Sequence, residues 1–343
     1  MPAKGRRKRP GKGSGVLGKL SIYITTYNRV KYLQAAIESI LCQTFADFDL
    51  FVLDNCSTDG TEQLVSSIQD PRLHYIRHRH NIGGAANLNY AFEKCSSEYF
   101  CVFHDDDIIH DTLIQKEITY MEQNKACSAI SCLSNQIDET GKIIRQCTHA
   151  NNGIIETYSG TEFFSGYIGQ QRSFTFPATM YRNGFIKANK ITLNAKAGPC
   201  MDVVLYMDIE KSGGVLAELQ EPLIDYRIHS QQGSTMNLET MLIQLIQYLN
   251  QDGYYAALMK QKNKEKQAYY RWYSQKLFIR VASKAITSKT AVKYLKEMRT
   301  ELNGAAAHYW AARIILGLEN VFPKFFEYAY KKIKQKRTRV KPE

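Results

Sequence analysis

Three consecutive aspartates, Asp105, Asp106 and Asp107, are the residues of this chain whose types and spacing are best suited to chemistry. This aspartate triplet directly follows a short apolar run, Tyr99–His104, of the kind that forms a buried strand. Carboxylates this close repel one another, and a divalent cation or another positive group among them relieves the repulsion. A solvated acidic turn that opens the next helix fits the same residues, because aspartate favours helix starts.

Two more apolar runs end in polar side chains. Residues 25–28 follow the run 20–24, and Asp54 and Asn55 follow the run 50–53. The carboxyl ends of parallel strands meet at one edge of a sheet, where ligands collect. We therefore expect these residues and the aspartate triplet to share one crevice, which favours the metal site over the solvated turn.

The elements that must position these residues alternate along the front half of the chain. Apolar runs predict strands at residues 20–24, 50–53, 73–76 and 99–104, and the patterns between and after them predict helices around residues 33–41, 61–68, 86–94 and 113–121. Near-continuous apolar strands separated by helices are typical of a parallel sheet covered on both faces. The sequence therefore predicts an α/β fold.

The second half of the chain differs in composition. Short strands at residues 174–181 and 223–228 and a helix at residues 201–211 are predicted, and long helical stretches follow residue 233. These changes predict four segments: a basic tail (1–18), an α/β domain (19–235), a C-terminal helical region (236–334) and a second basic tail (335–343). Packing of the later helices on the α/β domain and a separate helical bundle both fit the sequence.

The charge of +12 on this 343-residue chain lies largely at its two ends. Basic ends are typical of contact with a polyanion such as acidic lipid, nucleic acid or an anionic glycan, and solvated tails have the same composition. Eight cysteines without a CxxC pair indicate reduced thiols in a cytoplasmic protein, and no apolar run has the length of a membrane span.

A C-terminal stretch, residues 321–334, combines aromatic side chains with lysines. Such a helix can lie on an anionic membrane with its aromatic face among the acyl chains. This predicts a peripheral position on the inner face of the membrane. Packing of the same aromatics on the preceding helices is the alternative.

Seven short motifs, in this order, resemble the family 2 glycosyltransferases with a GT-A fold. They are residues 25–29 (TTYNR), 43–45 (QTF), 53–61 (LDNCSTDGT), 81–87 (NIGGAAN), 105–107 (DDD), 201–202 (MD) and 226–229 (YRIH). The resemblance covers residues 20–234 and implies a Rossmann-like, mostly parallel sheet followed here by the helical region. It also implies an inverting enzyme that moves a sugar from a nucleoside diphosphate sugar to a hydroxyl of a glycan or lipid-linked glycan.

The resemblance assigns the aspartate triplet to a metal ion and the donor ribose. A diphosphate leaving group carries dense negative charge, and carboxylate oxygens suit Mg²⁺ or Mn²⁺. We expect the metal mainly on Asp106 and Asp107, with Asp105 nearer the nucleoside. His229 completes the metal shell in some relatives, although a single histidine is equally compatible with a structural role.

The donor nucleotide is expected to contact the first two motif loops. Thr25, Tyr27 and Asp54 would frame the base, with the Tyr27 ring stacked on a pyrimidine, and Asn28 belongs to the same nucleotide-binding group. Asn55 replaces an aspartate found in many relatives, and its amide matches a uracil or thymine edge. UDP or dTDP is therefore favoured over GDP.

The diphosphate is expected near a helix start and a basic side chain. Gly83 and Asn87 open a predicted helix, whose N-terminus favours an anion, and Arg227 in the YRIH motif would face the diphosphate. Asp202 also stands at a predicted helix start, where an acid is common without any catalytic role. The resemblance makes Asp202 the general base that takes the proton of the acceptor hydroxyl.

Two other functions explain fewer features of the sequence. A nucleotidyltransferase of related fold would carry a Gly-rich loop with Arg and Lys after the first strand, where residues 25–28 stand instead. A non-catalytic protein that binds polyanions through its basic ends leaves the aspartate triplet unexplained, and no nucleic-acid recognition motif is present. Nucleic acid is therefore not expected as a partner.

Overall fold

The computed structural model describes residues 18–170, 174–229 and 238–303, together with residues 312, 316 and 328. The basic residues of both predicted tails, nearly all of the stretch 321–334 and the predicted boundary at residue 235 lie outside the described residues.

Ten strands of the described residues form one mixed sheet. They are β1 (Leu20–Thr26), β2 (Phe48–Asp54), β3 (Leu73–Arg77), β4 (Tyr99–His104), β5 (Ile108–Ile109), β6 (Cys127–Ile137), β7 (Ile143–Arg145), β8 (Ile155–Tyr158), β9 (Met180–Arg182) and β10 (Val215–Arg227). The strand order is β3-β2-β1-β4-β9-β6-β10-β5, while β7 pairs with β6 and β8 pairs with β10.

The front half of the sheet is parallel, as the apolar runs predict. β1 pairs in parallel with β2 and β4, and β2 pairs in parallel with β3. The register sets Thr26 beside Asp54 and Thr25 beside His104, so β1, β2 and β4 end at nearly the same level. The loops that follow these strands, including the aspartate triplet, therefore emerge at one edge.

The second half of the sheet brings a distant part of the chain to the same edge. β10 runs parallel to β6 and antiparallel to β5, the two-residue strand that directly follows the aspartate triplet. Because Arg227 is the last residue of β10, it and His229 lie beside the triplet. The predicted strand at residues 223–228 is thus the end of a longer strand that begins at Val215.

The predicted strand at residues 174–181 is wrong in its first half. Phe176–Ala178 forms a 3₁₀ turn, and β9 begins only at Met180. Pro177 lacks the N–H that a strand interior donates, and its fixed φ suits a turn.

Helices cover both faces of the sheet. They are α1 (Val30–Leu41), α2 (Thr61–Ser67), α3 (Gly84–Lys94), α4 (Leu113–Gln123), α5 (Glu162–Ile168), α6 (Asn183–Ala188), α7 (Met201–Lys211), α8 (Leu238–Gln251), α9 (Gly253–Gln261), α10 (Asn263–Ala282) and α11 (Ser288–Glu301). In α1, Leu33, Ala36, Ile37 and Ile40 are buried, which is the spacing of one helical face. This face joins α2 and α4 in a core on one side of the sheet.

The C-terminal helices pack on the α/β domain rather than forming a separate bundle within the described residues. Leu205 of α7, Leu245 of α8 and Tyr269 of α10 belong to one continuous buried core, which also covers the second face of the sheet. The Tyr255 hydroxyl of α9 donates to Asp208 Oδ1 of α7 at 2.7 Å. The α/β fold with a C-terminal helical region is therefore confirmed.

All eight cysteines are free thiols, as the sequence predicts. Burial raises the pKa of Cys101, Cys127 and Cys132, so these thiols stay protonated and pack as small apolar groups. Among the described helices, none combines the length and apolar character required to cross a bilayer.

Candidate active site

A cleft of about 440 Å³ lies at the carboxyl edge of the parallel strands. The loops after β1, β2 and β4, the start of α3 and the segment that leads into α7 form its walls. The cleft brings together the following residues predicted from the sequence: Thr25, Tyr27, Asn55, Asn87, Asp105, Asp106 and Asp202.

The aspartate triplet is buried at one wall of this cleft. Asp105, Asp106 and Asp107 are each 3% exposed. Arg29 Nη1 donates to Asp106 Oδ2 at 2.7 Å and to Asp105 Oδ1 at 3.3 Å, and the backbone N–H of Arg227 donates to Asp107 Oδ1 at 2.8 Å. Burial and the charge of Asp106 raise the pKa of Asp105 to about 7, although Arg29 acts in the opposite direction.

Part of the aspartate triplet fits a divalent cation. Asp106 Oδ1 and Asp107 Oδ2 are buried and have no hydrogen-bond partner among the described residues. Ligand atoms of His104, Asp106 and Asp107 lie within 4.8 Å of one another. Burial lowers the pKa of His104, which favours the neutral imidazole that a metal requires. Burial and the charge of Asp106 raise the pKa of Asp107 well above its usual range, and a bound cation would reverse that shift.

The end of β10 completes this wall. His229 Nε2 lies 2.9 Å from Asp106 Oδ2, so the predicted metal ligand is next to the aspartate triplet. Arg227, the predicted diphosphate contact, does not line the cleft. Its Nε and Nη1 donate to the backbone carbonyls of Asp106 and Asp138, at 2.7 and 2.8 Å, and its guanidinium stacks over the Tyr32 ring. Arg227 therefore holds the backbone of the triplet loop.

The wall formed by the loops after β1 and β2 contains the exposed ring of Tyr27 and the hydrogen-bonded amide of Asn55. Tyr27 is 46% exposed at the cleft, where its ring is available for stacking. Asn55 Oδ1 accepts the backbone N–H of Ile82 at 2.8 Å, and Asn55 Nδ2 donates to Asn81 Oδ1 at 2.9 Å. The acceptor atom of Asn55 is thus used by the neighbouring loop, and a second N–H of its amide is left for a ligand.

Asn87 lines the cleft, and its side chain makes two contacts within the protein. Its Nδ2 donates to the carbonyl of Leu53 at 3.1 Å, and its Oδ1 lies 2.9 Å from His78 Nε2. These contacts tie α3 to the end of β2. Gly83 precedes α3 with a φ of 85°, a backbone conformation that favours glycine, and Gly84 lines the cleft.

Asp54 and Asn28 lie outside the cleft lining. Asp54 is fully buried, and its carboxylate accepts the Tyr75 hydroxyl and the Ser57 backbone N–H. Asn28 Oδ1 accepts the backbone N–H of Thr58 at 2.8 Å. Both side chains therefore hold the loop after β2 in place.

Asp202 stands on another wall, at the start of α7. The 3₁₀ segment Ala195–Cys200 leads into the helix, and Pro199 and Met201 line the cleft with Asp202. Burial raises the pKa of Asp202 to about 6, against the lowering effect of nearby backbone N–H groups. A carboxylate with this pKa is ionised at neutral pH and is a stronger base than an exposed aspartate.

The comparison with protein families decides the identity of this domain. Residues 21–185 match the family model for glycosyl transferase family 2. The chain carries a family 2 glycosyltransferase domain. A Rickettsia bellii uncharacterized glycosyltransferase is 27% identical over 242 residues, which cover 69% of this chain and 33% of the relative. The Escherichia coli UDP-Glc:alpha-D-GlcNAc-diphosphoundecaprenol beta-1,3-glucosyltransferase WfaP is 31% identical over 31% of this chain and 42% of its own length. The matched part of this chain corresponds to about a quarter to a third of the first curated relatives.

Solved structures share the fold of the family 2 domain and of the helical region. S. aureus TarS 1–349 in complex with UDP-GlcNAc superposes with a TM-score of 0.62 at 14% identity, over 89% of this chain and 92% of that one. The mannosyltransferase PcManGT of Pyrobaculum calidifontis, in complex with GDP-Man and Mn²⁺, gives 0.53 at 15% identity, over 90% and 88%. The GT-A fold is therefore shown. Because these two neighbours hold different nucleotides, the fold alone does not specify the base.

Sequence reasoning missed two residues at the active-site wall of the family 2 domain. Arg29 ends the TTYNR motif, but its ion pairs with the aspartate triplet depend on how α1 packs. His104 is the last residue of the predicted apolar strand, and its ring nitrogen also lies within 4.8 Å of carboxylate oxygens of Asp106 and Asp107. A histidine immediately before an acidic triplet at a strand end was the available signal.

Proposed function

We propose that this protein is an inverting glycosyltransferase that transfers a sugar from a nucleoside diphosphate sugar to an acceptor hydroxyl. The observation that carries the proposal is the presence, in one cleft, of Asp105 and Asp106 of the buried aspartate triplet together with Asp202. The first offers carboxylate oxygens for a cation, and the second offers a base of raised pKa. A metal-dependent inverting transfer uses the cation at the leaving diphosphate and the base at the acceptor hydroxyl, on either side of one sugar.

The donor is proposed to be a UDP- or dTDP-sugar. Tyr27 would stack on the base, and the remaining N–H of Asn55 would donate to a carbonyl of the uracil or thymine ring. Thr25 would contact the base edge, while Asp54 and Asn28 act through the loop they hold. The diphosphate would meet the start of α3 at Gly83 and Gly84. The UDP-Glc donor in the name of WfaP supports this choice.

The cation is proposed to be Mn²⁺ or Mg²⁺, held by Asp106 and Asp107 with His104 and His229 beside them. Support comes from the two unpartnered carboxylate oxygens and from the Mn²⁺ in PcManGT. When bound, such an ion neutralises charge on the leaving diphosphate. Asp105 is expected to contact the donor ribose, since it lines the cleft beside Arg29.

Asp202 is proposed to take the proton of the acceptor hydroxyl. The hydroxyl oxygen then attacks the anomeric carbon on the face opposite the diphosphate, which inverts the anomeric configuration. The position of Asp202 on a different wall from the aspartate triplet supports this arrangement. General-base catalysis by a positioned carboxylate typically contributes about 10²–10⁴-fold.

The acceptor is proposed to be a glycan or lipid-linked glycan of a polysaccharide pathway, at the inner face of the membrane. WfaP, whose name specifies a lipid diphosphate acceptor, supports the acceptor class. Residues 321–334 would supply the membrane contact. Co-sedimentation with anionic vesicles is expected for the full chain and not for a chain ending at residue 320. Equal binding of both chains would contradict this location.

A donor screen tests the enzyme activity. Purified protein with Mn²⁺ is incubated with UDP-, dTDP- and GDP-sugars, and released nucleoside diphosphate is measured as slow donor hydrolysis. We expect release from a UDP- or dTDP-sugar in wild type and not in Asp106→Ala. Preference for a GDP-sugar would contradict the base assignment, and the absence of release and of donor binding across the panel would contradict the enzyme proposal.

A further inference from the structure

Arg29 is a charged residue that lines the cleft, and the proposed function assigns it no role. It directly precedes α1, and its backbone carbonyl accepts the N–H groups of Tyr32 and Leu33 at 3.0 and 3.2 Å. Its main chain is therefore fixed at the helix start. Its side chain is 28% exposed and lines the cleft. The guanidinium can change partners while α1 stays in place.

The guanidinium shares a carboxylate with the proposed cation site. Asp106 Oδ2 accepts a hydrogen bond from Arg29 Nη1 and lies beside His229 Nε2. Asp106 Oδ1 is buried and has no hydrogen-bond partner among the described residues. A divalent cation bound to the free oxygens of Asp106 and Asp107 would lie near the positive charge of Arg29. Like charges at such short range repel, so the cation and the Arg29 ion pair compete for Asp106.

A nucleoside diphosphate offers Arg29 a second anion in the same cleft. Arginine binds phosphate oxygens through parallel N–H donors, with a geometry that matches carboxylate and phosphate alike. Arg29 lines the cleft together with Gly84, where the diphosphate is proposed to lie, and with Asp105.

We propose that Arg29 is an exchangeable counter-ion, which neutralises Asp105 and Asp106 before the donor binds and moves to the donor diphosphate when a divalent cation takes the carboxylates. The inference rests on the proposed function. By linkage, the metal alone binds weakly because it must displace Arg29, and donor and metal favour each other's binding.

Arg227 shows what a fixed arginine looks like in the same site. It is 4% exposed, and its guanidinium donates to two backbone carbonyls and packs over Tyr32. Arg29 instead is more exposed and contacts carboxylates that a cation also needs. The exchange is therefore assigned to Arg29 and not to Arg227.

The test measures the affinity of the protein for Mn²⁺ and for UDP. Removal of the Arg29 charge should raise the first and lower the second. Mn²⁺ is titrated into nucleotide-free protein, with free Mn²⁺ read by its electron paramagnetic resonance signal, and UDP is titrated at saturating Mg²⁺. In Arg29→Gln, Mn²⁺ should bind at least about 5-fold more tightly and UDP at least about 5-fold more weakly, the lower limit of typical coupling. Lys31→Gln removes the same charge two residues away, on a side chain 67% exposed, and should change neither affinity.

A second variant and a folding control complete the test. Arg29→Lys keeps the charge and loses the paired donors, so Mn²⁺ affinity should stay near wild type while UDP binding weakens. Thermal unfolding of each variant verifies that it is folded. Unchanged or weaker Mn²⁺ binding in Arg29→Gln would overturn the role of Arg29, given normal binding by wild type. Failure of Mn²⁺ to bind any of the proteins, with or without UDP, would instead contradict the proposed metal site.

Discussion

Two walls of the cleft carry the same side chain in opposite settings. On one wall, the aspartate triplet is crowded, and its carboxylates contact Arg29, His229 and the backbone of Arg227. On the other, Asp202 stands at the start of α7, where burial raises its pKa to about 6 and nearby backbone N–H groups oppose the rise. Carboxylates crowded together are suited to hold a cation, and an isolated one of raised pKa is suited to accept a proton.

Removal of the metal should produce the largest effect, because it disables the whole triplet wall. Chelation with EDTA is expected to abolish donor turnover, and Asp106→Ala or Asp107→Ala to remove most of it. The protein should stay folded, since removing like charge from an acidic cluster relieves repulsion. Nucleoside diphosphate release is the assay, and Asp111→Asn, an exposed aspartate outside the cleft, is the matched control. Full activity in EDTA would refute the assignment of the triplet.

Loss of the proposed general base, Asp202, on the other wall should cause the next largest fall in turnover. Asp202→Asn keeps the shape of the side chain and removes the proton acceptor, so transfer is expected to fall by about 10²–10⁴-fold. The measurement is the turnover number at saturating donor, acceptor and Mn²⁺. Turnover that remains within twofold of wild type would assign the base to another residue.

The pH dependence of the turnover number should further distinguish the roles of the two walls. Asp202 must be ionised to act as a base, so the turnover number should be level above pH 7 and fall about tenfold per pH unit well below its pKa of about 6. Saturating Mn²⁺ keeps Asp106 and Asp107 ionised, which leaves Asp105, with its pKa of about 7, as the other carboxylate that titrates in this range. The acid limb should be lost from the residual activity of Asp202→Asn. An unchanged limb in that variant would show that another group titrates.

Substitution in the proposed nucleobase pocket should have the smallest effect on activity, because Tyr27 would contact only the nucleoside. Tyr27→Ala is expected to weaken UDP or dTDP binding by about 1–3 kcal/mol, the scale of a lost base–aromatic stack. Calorimetric titration of UDP, dTDP and GDP measures it, with Tyr254→Ala as control because Tyr254 is also exposed but lies outside the cleft. Equal losses in the two variants would argue against stacking.

Much of the triplet wall could be predicted from the sequence, because it depends on local patterns. The apolar runs located β1 to β4 to within one or two residues, and parallel strands necessarily end at one edge. The contacts across the wall could not be predicted. The ion pair between Arg29 and Asp106 and the hydrogen bond from the Tyr75 hydroxyl to Asp54 depend on packing between elements distant in sequence.

The Asp202 wall was predictable only through the family resemblance. An acid at a helix start has no distinctive spacing, and its raised pKa arises from the burial that the fold imposes. The full length of β10 was also hidden, because Pro222 and irregular register interrupt its apolar pattern. These features come from tertiary structure, so a single sequence carries little signal for them.

The division of labour between the two walls is tested most directly by UDP affinity measured with and without Mn²⁺ in wild type, Asp106→Ala and Asp202→Asn. We predict that Mn²⁺ tightens UDP binding in wild type and in Asp202→Asn to the same extent, and has no effect in Asp106→Ala. A loss of the Mn²⁺ effect in Asp202→Asn, or its retention in Asp106→Ala, would contradict the assignment of the two walls.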